Sequence, residues 1–348
     1  MNFYCSRTEK NPNLGLTHTQ NPKKTWNVYT DEGWTFHLNT LKKGNKNSWC
    51  EINFTDQIEF KHNRLRDFPI YYTNDTVASF KFDDAHFLPI DGKLVDNGIN
   101  FTLAYELDFF PILNNKTLNF NNCVDIAYCN IKENVESFLE FNNKEIYIPV
   151  QNGIDTLTIR SMFDHLNVSY KLFELAKEKP KLSKLGEHLS QTHWGFSQIK
   201  EIKNSVVVTG FYGDEWLLRN PFYVHALLSQ RDINIINVFD KIKNCYMKNY
   251  FEDYRLKCST KCNLTTNELM LQIYNDFQIW DLNSTHFFSP LRHQNLLQLF
   301  NADTNTIIEQ VTDAKLSKAI IKKCNQNLLK NIDNNKNEND RTYFMYVN

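Results

Sequence analysis

The run EIYIPVQNGIDTLTIRSMFDHLNVSYKLF, residues 145–173, restricts the fold more than any other stretch of the chain. Glu145 to Val150 is a short apolar block of the kind buried in parallel sheets, where both faces of a strand are covered. QNGID, residues 151–155, supplies turn chemistry, and Thr156 to Leu166 spaces its apolar residues as a helix does. Val168 to Phe173 then returns as a strand. The succession predicts a βαβ unit, with a right-handed crossover and a ligand site at the carboxyl ends of its strands.

A third buried strand, Ser205 to Thr209 (SVVVT), runs into Gly210 to Glu215 (GFYGDE) and then a helix. Each turn carries a glycine followed by an acid: Gly153-Ile154-Asp155 and Gly213-Asp214-Glu215. In a parallel sheet both turns emerge at one edge, so Asp155 and Asp214 are placed to converge on a Mg²⁺ completed by phosphate oxygens. Gly153 lets backbone N–H groups approach a phosphate, and the helix from Thr156 points its positive end at the anion, with the Thr156 hydroxyl as a further donor. The competing task for each aspartate is to cap the helix that follows it. Glu215 stands four residues before Arg219, the spacing of an ion pair on one helix.

The first third of the chain has a different texture. From Trp26 to about Phe120 short alternating runs recur: Trp34 to Leu38, Cys50 to Phe54, Phe68 to Thr73 and Thr76 to Phe82, with YTNDT at residues 72–76 as a turn. Asn121 to Phe141 follows with helical spacing. From Pro221 to Leu329 the apolar residues again fall mainly at helical spacing, in FYVHALL, INVFDKIKNCYMKNYF, TTNELMLQIYNDF, HQNLLQLF and LSKAIIKKCNQNLL. The expected organisation is therefore a mainly β domain of α+β class over residues 1–143 and an α/β parallel-sheet domain with a helical carboxyl-terminal part over 144–330. A polar tail, 331–348, completes it. Two domains also suit 348 residues, at about 150 per domain.

Charge narrows the partners. The net charge is −1 with 23% charged residues, which leaves no basic stripe for a nucleic acid. No run approaches the roughly 20 apolar residues that span a bilayer, and the polar start MNFYCSRTEKNPN carries no targeting segment. Eight scattered cysteines suit reduced thiols, so a cytoplasmic protein is expected. Cys258 and Cys262, with Cys245 upstream, lack the second close pair that structural zinc requires.

The stretch 146–173 resembles the ATP-binding loop of asparagine-synthetase-like enzymes, ATP-pyrophosphatases in which a strand leads into Ser-Gly-Gly-x-Asp-Ser and a helix. VVVTGFYGDEWLLRN, residues 206–220, resembles the family's later Gly-x-Gly-x-Asp-Glu loop at the end of another strand. FFSPLRHQNLLQLF and TDAKLSKAII are similar to its carboxyl-terminal helical region, which carries a lysine that contacts the reacting phosphate. Lys318 matches that lysine best, with Lys315 as the neighbouring alternative. RLRDFPIYYTNDTVASF, residues 64–80, is similar to a segment of the family's glutaminase domain.

The resemblance implies an adenine-nucleotide-hydrolase-like fold behind a degenerate amino-terminal-nucleophile domain. It implies ATP and Mg²⁺ as cofactors, with Asp155 and Asp214 on the metal. Gln151, Asn152, Gly153, Asp155, Thr156, Gly210 and Gly213 would surround the phosphates, and Leu172 and Phe173 would lie against adenine. The implied reaction is AMP-forming: a small-molecule or peptide carboxylate is adenylated, then attacked by ammonia or an amine. The chain departs from the family at several positions. Gln151 and Asn152 replace Ser and Gly, Phe211 stands where the asparagine-forming members have their catalytic glutamate, and Asn2 replaces the amino-terminal cysteine that glutamine hydrolysis needs. Glutaminase activity is therefore not expected. A non-catalytic descendant that binds a nucleotide or partner, and an ATP-dependent nucleobase- or tRNA-modifying enzyme, are the alternatives.

Overall fold

The computed structural model describes residues 3–8, 16–19, 26–44, 49–55, 57–62, 70–79, 84–88, 92–96, 101–105, 116–150, 153–173, 205–210, 212–233 and 286–332. Gln151, Asn152, Phe211, the helices expected within 234–280, the three cysteines weighed for zinc, and the polar tail lie outside these residues. The chain divides into two compact units: the first contains Met1–Phe109 and Glu136–Asn142, the second Phe110–Val135 with Asn143–Leu271 and Leu282–Asn348.

The first unit is built from two antiparallel sheets. β1 (Phe3–Ser6), β2 (Thr17–Thr19), β3 (Asn27–Thr30), β8 (Tyr71–Tyr72), β9 (Thr76–Ala78) and β10 (His86–Phe87) form one, in the order β10-β8-β9-β1-β3-β2. β4 (Thr35–His37), β5 (Thr40–Gly44), β6 (Trp49–Phe54), β7 (Ile58–His62), β11 (Gly92–Asp96) and β12 (Phe101–Tyr105) form the other, in the order β12-β11-β7-β6-β5-β4. The period-two pattern is the cause. β7 buries Ile58, Phe60 and His62 and leaves Glu59 and Lys61 facing outward. Phe3, Cys5, Trp26 and Val28 from one sheet join Leu41, Ile52, Phe54, Phe60 and Leu94 from the other in one apolar cluster. Two polar groups beside this cluster share one partner: the Trp26 indole donates to Asp96 at 2.7 Å, and Arg7 pairs with the same carboxylate while stacking over the Trp26 ring.

α1 (Phe120–Phe141) belongs to the second unit up to Val135 and to the first from Glu136. In the second unit, β13 (Glu145–Pro149), α2 (Ile154–His165) and β14 (Lys171–Phe173) follow as strand, helix and parallel strand. The second strand is shorter than its apolar run, because residues 168–170 leave the helix as irregular chain. β15 (Ser205–Val208), entirely buried, leads to α3 (Gly213–Trp216) and α4 (Pro221–Gln230). A fourth strand, β16 (His286–Phe288), is an addition to the sequence-based expectation, and α5 (Thr304–Asp313) is another. HQNLLQLF is a 3₁₀ helix, Gln294–Asn301, and α6 covers Lys315–Asn325.

All pairings in this sheet are parallel, and its order is β14-β13-β15-β16. From β13 the chain crosses to one neighbour, then returns to the opposite side for β15. The reversal creates a topological switch point between β13 and β15, the place where open parallel sheets of this kind bind their ligands. α2 seats Ile154 and Leu157 against Ala314, Ile321 and Leu328, which fixes the helical carboxyl-terminal part on the helix that begins at the switch point. Among the described residues no helix is long and apolar enough to cross a membrane.

Candidate functional site

The loops after β13 and β15 meet at the switch point. Gly153 holds the N-cap of α2 with extended backbone (φ −64°, ψ 140°), so Asp155 falls in the first helical turn. Across from it, Tyr212 adopts a left-handed conformation (φ 68°), which turns the chain sharply into Gly213 and Asp214. The turn is closed by the Gly213 N–H donating to the Gly210 carbonyl at 3.2 Å.

Two glycines let the loops touch. A Cβ on Gly210 would stand 2.7 Å from the Thr156 backbone nitrogen and 2.8 Å from the Asp155 carbonyl carbon, inside the backbone of α2. A Cβ on Gly213 would overlap the Asp155 carboxyl group. Gly153 differs from both. Its backbone conformation is open to any residue, and a Cβ there would meet no atom of the described residues within 4 Å.

The paired acids converge on one positive charge that the chain itself provides. Arg219 Nη1 lies 2.6 Å from Oδ1 of Asp155, and Nη2 lies 2.9 Å from Oδ1 of Asp214. The first contact has hydrogen-bond geometry; the second is an ion pair whose angle falls outside it. The guanidinium is 6% exposed, against 19% for the Asp155 side chain and 36% for Asp214. Arg219 is the residue that sequence spacing assigned to Glu215. The short helix ends at Trp216, so the four-residue helical relation fails and the arginine turns toward the other loop. Its pairing with Asp155 spans 64 positions, a relation that no local pattern encodes.

Glu215 takes a hydrogen bond from the Asn220 side-chain amide at 3.2 Å. The residue keeps some exposure, but its carboxyl end is withdrawn from water. Burial first, then the Asp214 and Asp155 charges, push that carboxyl up to about 8 against the pull of its hydrogen bonds. Protonated at neutral pH, Glu215 adds no charge to the pair beside it.

Among the described residues no group of three or more His, Cys, Asp or Glu is arranged to hold a metal. A Mg²⁺ arriving with phosphates needs only one or two carboxylates, and that demand suits two acids already aimed at one cation. Thr156 is buried, at 5% exposure, with its backbone nitrogen against Gly210. Val150 and Leu172, at the carboxyl ends of β13 and β14, are 45% and 46% exposed, an apolar strip at that edge of the sheet. Phe173 is half-buried and its carbonyl accepts the Val150 N–H at 2.7 Å.

The two candidate lysines are engaged on the surface. Lys315 pairs with Glu309 at 2.7 Å and lies over the Phe120 ring, and Lys318 pairs with Asp313 at 2.5 Å. A residue without a sequence signal supports the second loop from behind. Gln310, fully buried, donates from Nε2 to the Leu217 carbonyl at 2.7 Å, while Oε1 accepts the Leu316 N–H at 2.7 Å. It joins the end of α3 to the turn at Ala314, where φ is 52°. No protein-family model matches the chain. No curated protein matches it either.

Proposed function

We propose that the second unit binds ATP with Mg²⁺ at the switch point and adenylates a carboxylate, releasing pyrophosphate, so that ammonia or an amine can take the acyl group. The observation that carries this is the convergence of Asp155 and Asp214, from separate strand ends, on a single cation. The space beside Gly153, open among the described residues, supports it, since a missing side chain there leaves room for a phosphate to approach the backbone. The same space adjoins the amino terminus of α2, where backbone N–H groups favour an anion. When bound, Mg²⁺ would neutralise phosphate charge as pyrophosphate leaves. Asp155 and Asp214 would hold it; Lys318 or Lys315 would serve the reacting phosphate after leaving its acidic neighbour. Val150 and Leu172 offer the apolar surface that an adenine ring stacks on. The likeness of both loops to asparagine-synthetase-like enzymes supports the reaction class, the adenine-nucleotide-hydrolase-like fold of this unit and the descent of the first unit from a glutaminase domain. A cytoplasmic enzyme of this kind would work without hydrolysing glutamine.

Isothermal titration of the full chain with ATP and MgCl₂ tests the proposal. Wild type is expected to bind, and Asp155→Ala and Asp214→Ala to bind at least about tenfold more weakly, a loss of about 1.4 kcal/mol each. Absence of wild-type binding at millimolar nucleotide would sink it. A second reading, a nucleotide- or partner-binding descendant without catalysis, is favoured by the engagement of Lys315 and Lys318 with Glu309 and Asp313. Binding without pyrophosphate release across a panel of carboxylates and amines would support that second reading.

A further inference from the structure

Arg219 occupies the seat that the nucleotide reading gives to a metal ion. Its guanidinium touches both carboxylates, and the backbone is anchored to the residue that carries one of them: the N–H groups of Arg219 and Asn220 donate to the Asp214 main-chain carbonyl at 2.7 and 2.6 Å. Leu218, with φ 58°, folds the chain back to make that anchor. The arginine is thus preorganised, largely buried, and able to satisfy two acids at once. A dication and a guanidinium on the same pair of oxygens repel one another, so only one of them can hold the seat.

We propose that Arg219 is a resident counter-cation of the Asp155–Asp214 pair, exchanged for a divalent cation only when nucleotide phosphates enter with it. The proposal rests on the nucleotide reading for its second half. Free Mg²⁺ holds its water tightly, and among the described residues no group of three or more side chains is arranged to replace that water. Phosphates change both sides of the exchange. They supply the oxygens the cation lacks, and they offer the displaced guanidinium the bidentate acceptor that suits its planar fork. Cation and nucleotide would then bind with positive coupling, each weak without the other.

The test uses Mn²⁺, whose free ion is counted by electron paramagnetic resonance, with the full chain and a non-hydrolysable ATP analogue. Without nucleotide, wild type is expected to hold no Mn²⁺ at submillimolar concentration, whereas Arg219→Gln gains a Mn²⁺ site at least about tenfold tighter. Arg219→Lys, able to satisfy one acid at a time, should show a smaller gain of the same sign. Asp155→Asn added to Arg219→Gln should remove the gained site, which assigns it to this pair. A merely structural arginine would not raise metal affinity when lost. An Arg219→Gln protein that binds Mn²⁺ no better than wild type overturns the competition, as does wild type that binds the ion equally well with and without the analogue. If circular dichroism finds Arg219→Gln unfolded, Arg219→Lys decides alone, and no gain there is the overturning result. Failure of wild type to bind the analogue removes the nucleotide reading and the exchange with it, whereas competition for the carboxylates is judged from the nucleotide-free titration.

Discussion

Arg219 Nη1 and Asp155 Oδ1 stand 2.6 Å apart, joining the residue that closes the second loop to the first turn of α2. Both side chains are largely buried, so each is the other's replacement for lost water. Asp155→Ala would take the hydrogen-bonded carboxylate away from a largely buried guanidinium. Stability should fall by about 2–4 kcal/mol, near the lower end for breaking a buried pair because Asp155 keeps some exposure. Asp214→Ala, at a more exposed position, should lose less. Urea denaturation followed by tryptophan fluorescence measures both, and equal losses would contradict the asymmetry.

The three glycines of the site should separate by their neighbours. Gly210→Ala forces a methyl against the backbone of α2 and should destabilise by about 1–3 kcal/mol. Gly213→Ala should displace the Asp155 carboxyl and weaken nucleotide binding as well. Gly153→Ala meets open space at an ordinary backbone conformation, so its melting temperature should match wild type while ATP binding weakens. Unchanged titration of Gly153→Ala with ATP would mean that no ligand approaches there.

Gln310 replaces several solvent contacts with one buried amide. Gln310→Leu keeps the volume and strands the Leu217 carbonyl and the Leu316 N–H, at about 1–3 kcal/mol for each buried group left unpaired. Chemical denaturation should register a loss of that size, and hydrogen exchange at Leu316 should accelerate first.

Glu215 links stability to pH. Its carboxyl is raised from the ordinary 4.5 to about 8, so the folded state holds a proton that the unfolded chain releases. The corresponding stability is complete below about pH 4.5 and is lost as pH rises through about 8. Burial of the carboxyl sets this first, followed by the Asp214 charge and, more weakly, that of Asp155. Glu215→Gln should therefore match wild type near pH 5 and melt several degrees higher at pH 9. Parallel melting curves for the two proteins across that range would exclude the shifted carboxyl.

The core of the second unit was readable along the chain because its determinants are local. Glu145–Pro149, Ile154–His165 and Ser205–Val208 each carry their periodicity within a dozen residues, and the strands they predict pair in parallel. β16 was missed since a three-residue strand, His286–Phe288, is too short to establish a period. The 3₁₀ winding of Gln294–Asn301 escaped for a related reason: apolar spacing over eight residues does not distinguish it from an α-helix.

What the sequence determined by itself was composition at the strand ends: an acid after a glycine, twice, each behind a buried strand. Hydrophobic spacing and turn chemistry act over neighbouring residues, so they survive reading in one dimension. Only the tertiary structure decided what those acids face. The order β14-β13-β15-β16 brings the two loops together, and Arg219 ends between Asp155 and Asp214 once the short helix ending at Trp216 breaks its spacing to Glu215. Charges find partners through space, at distances set by how strands are ordered, and strand order is a property of the whole packed sheet.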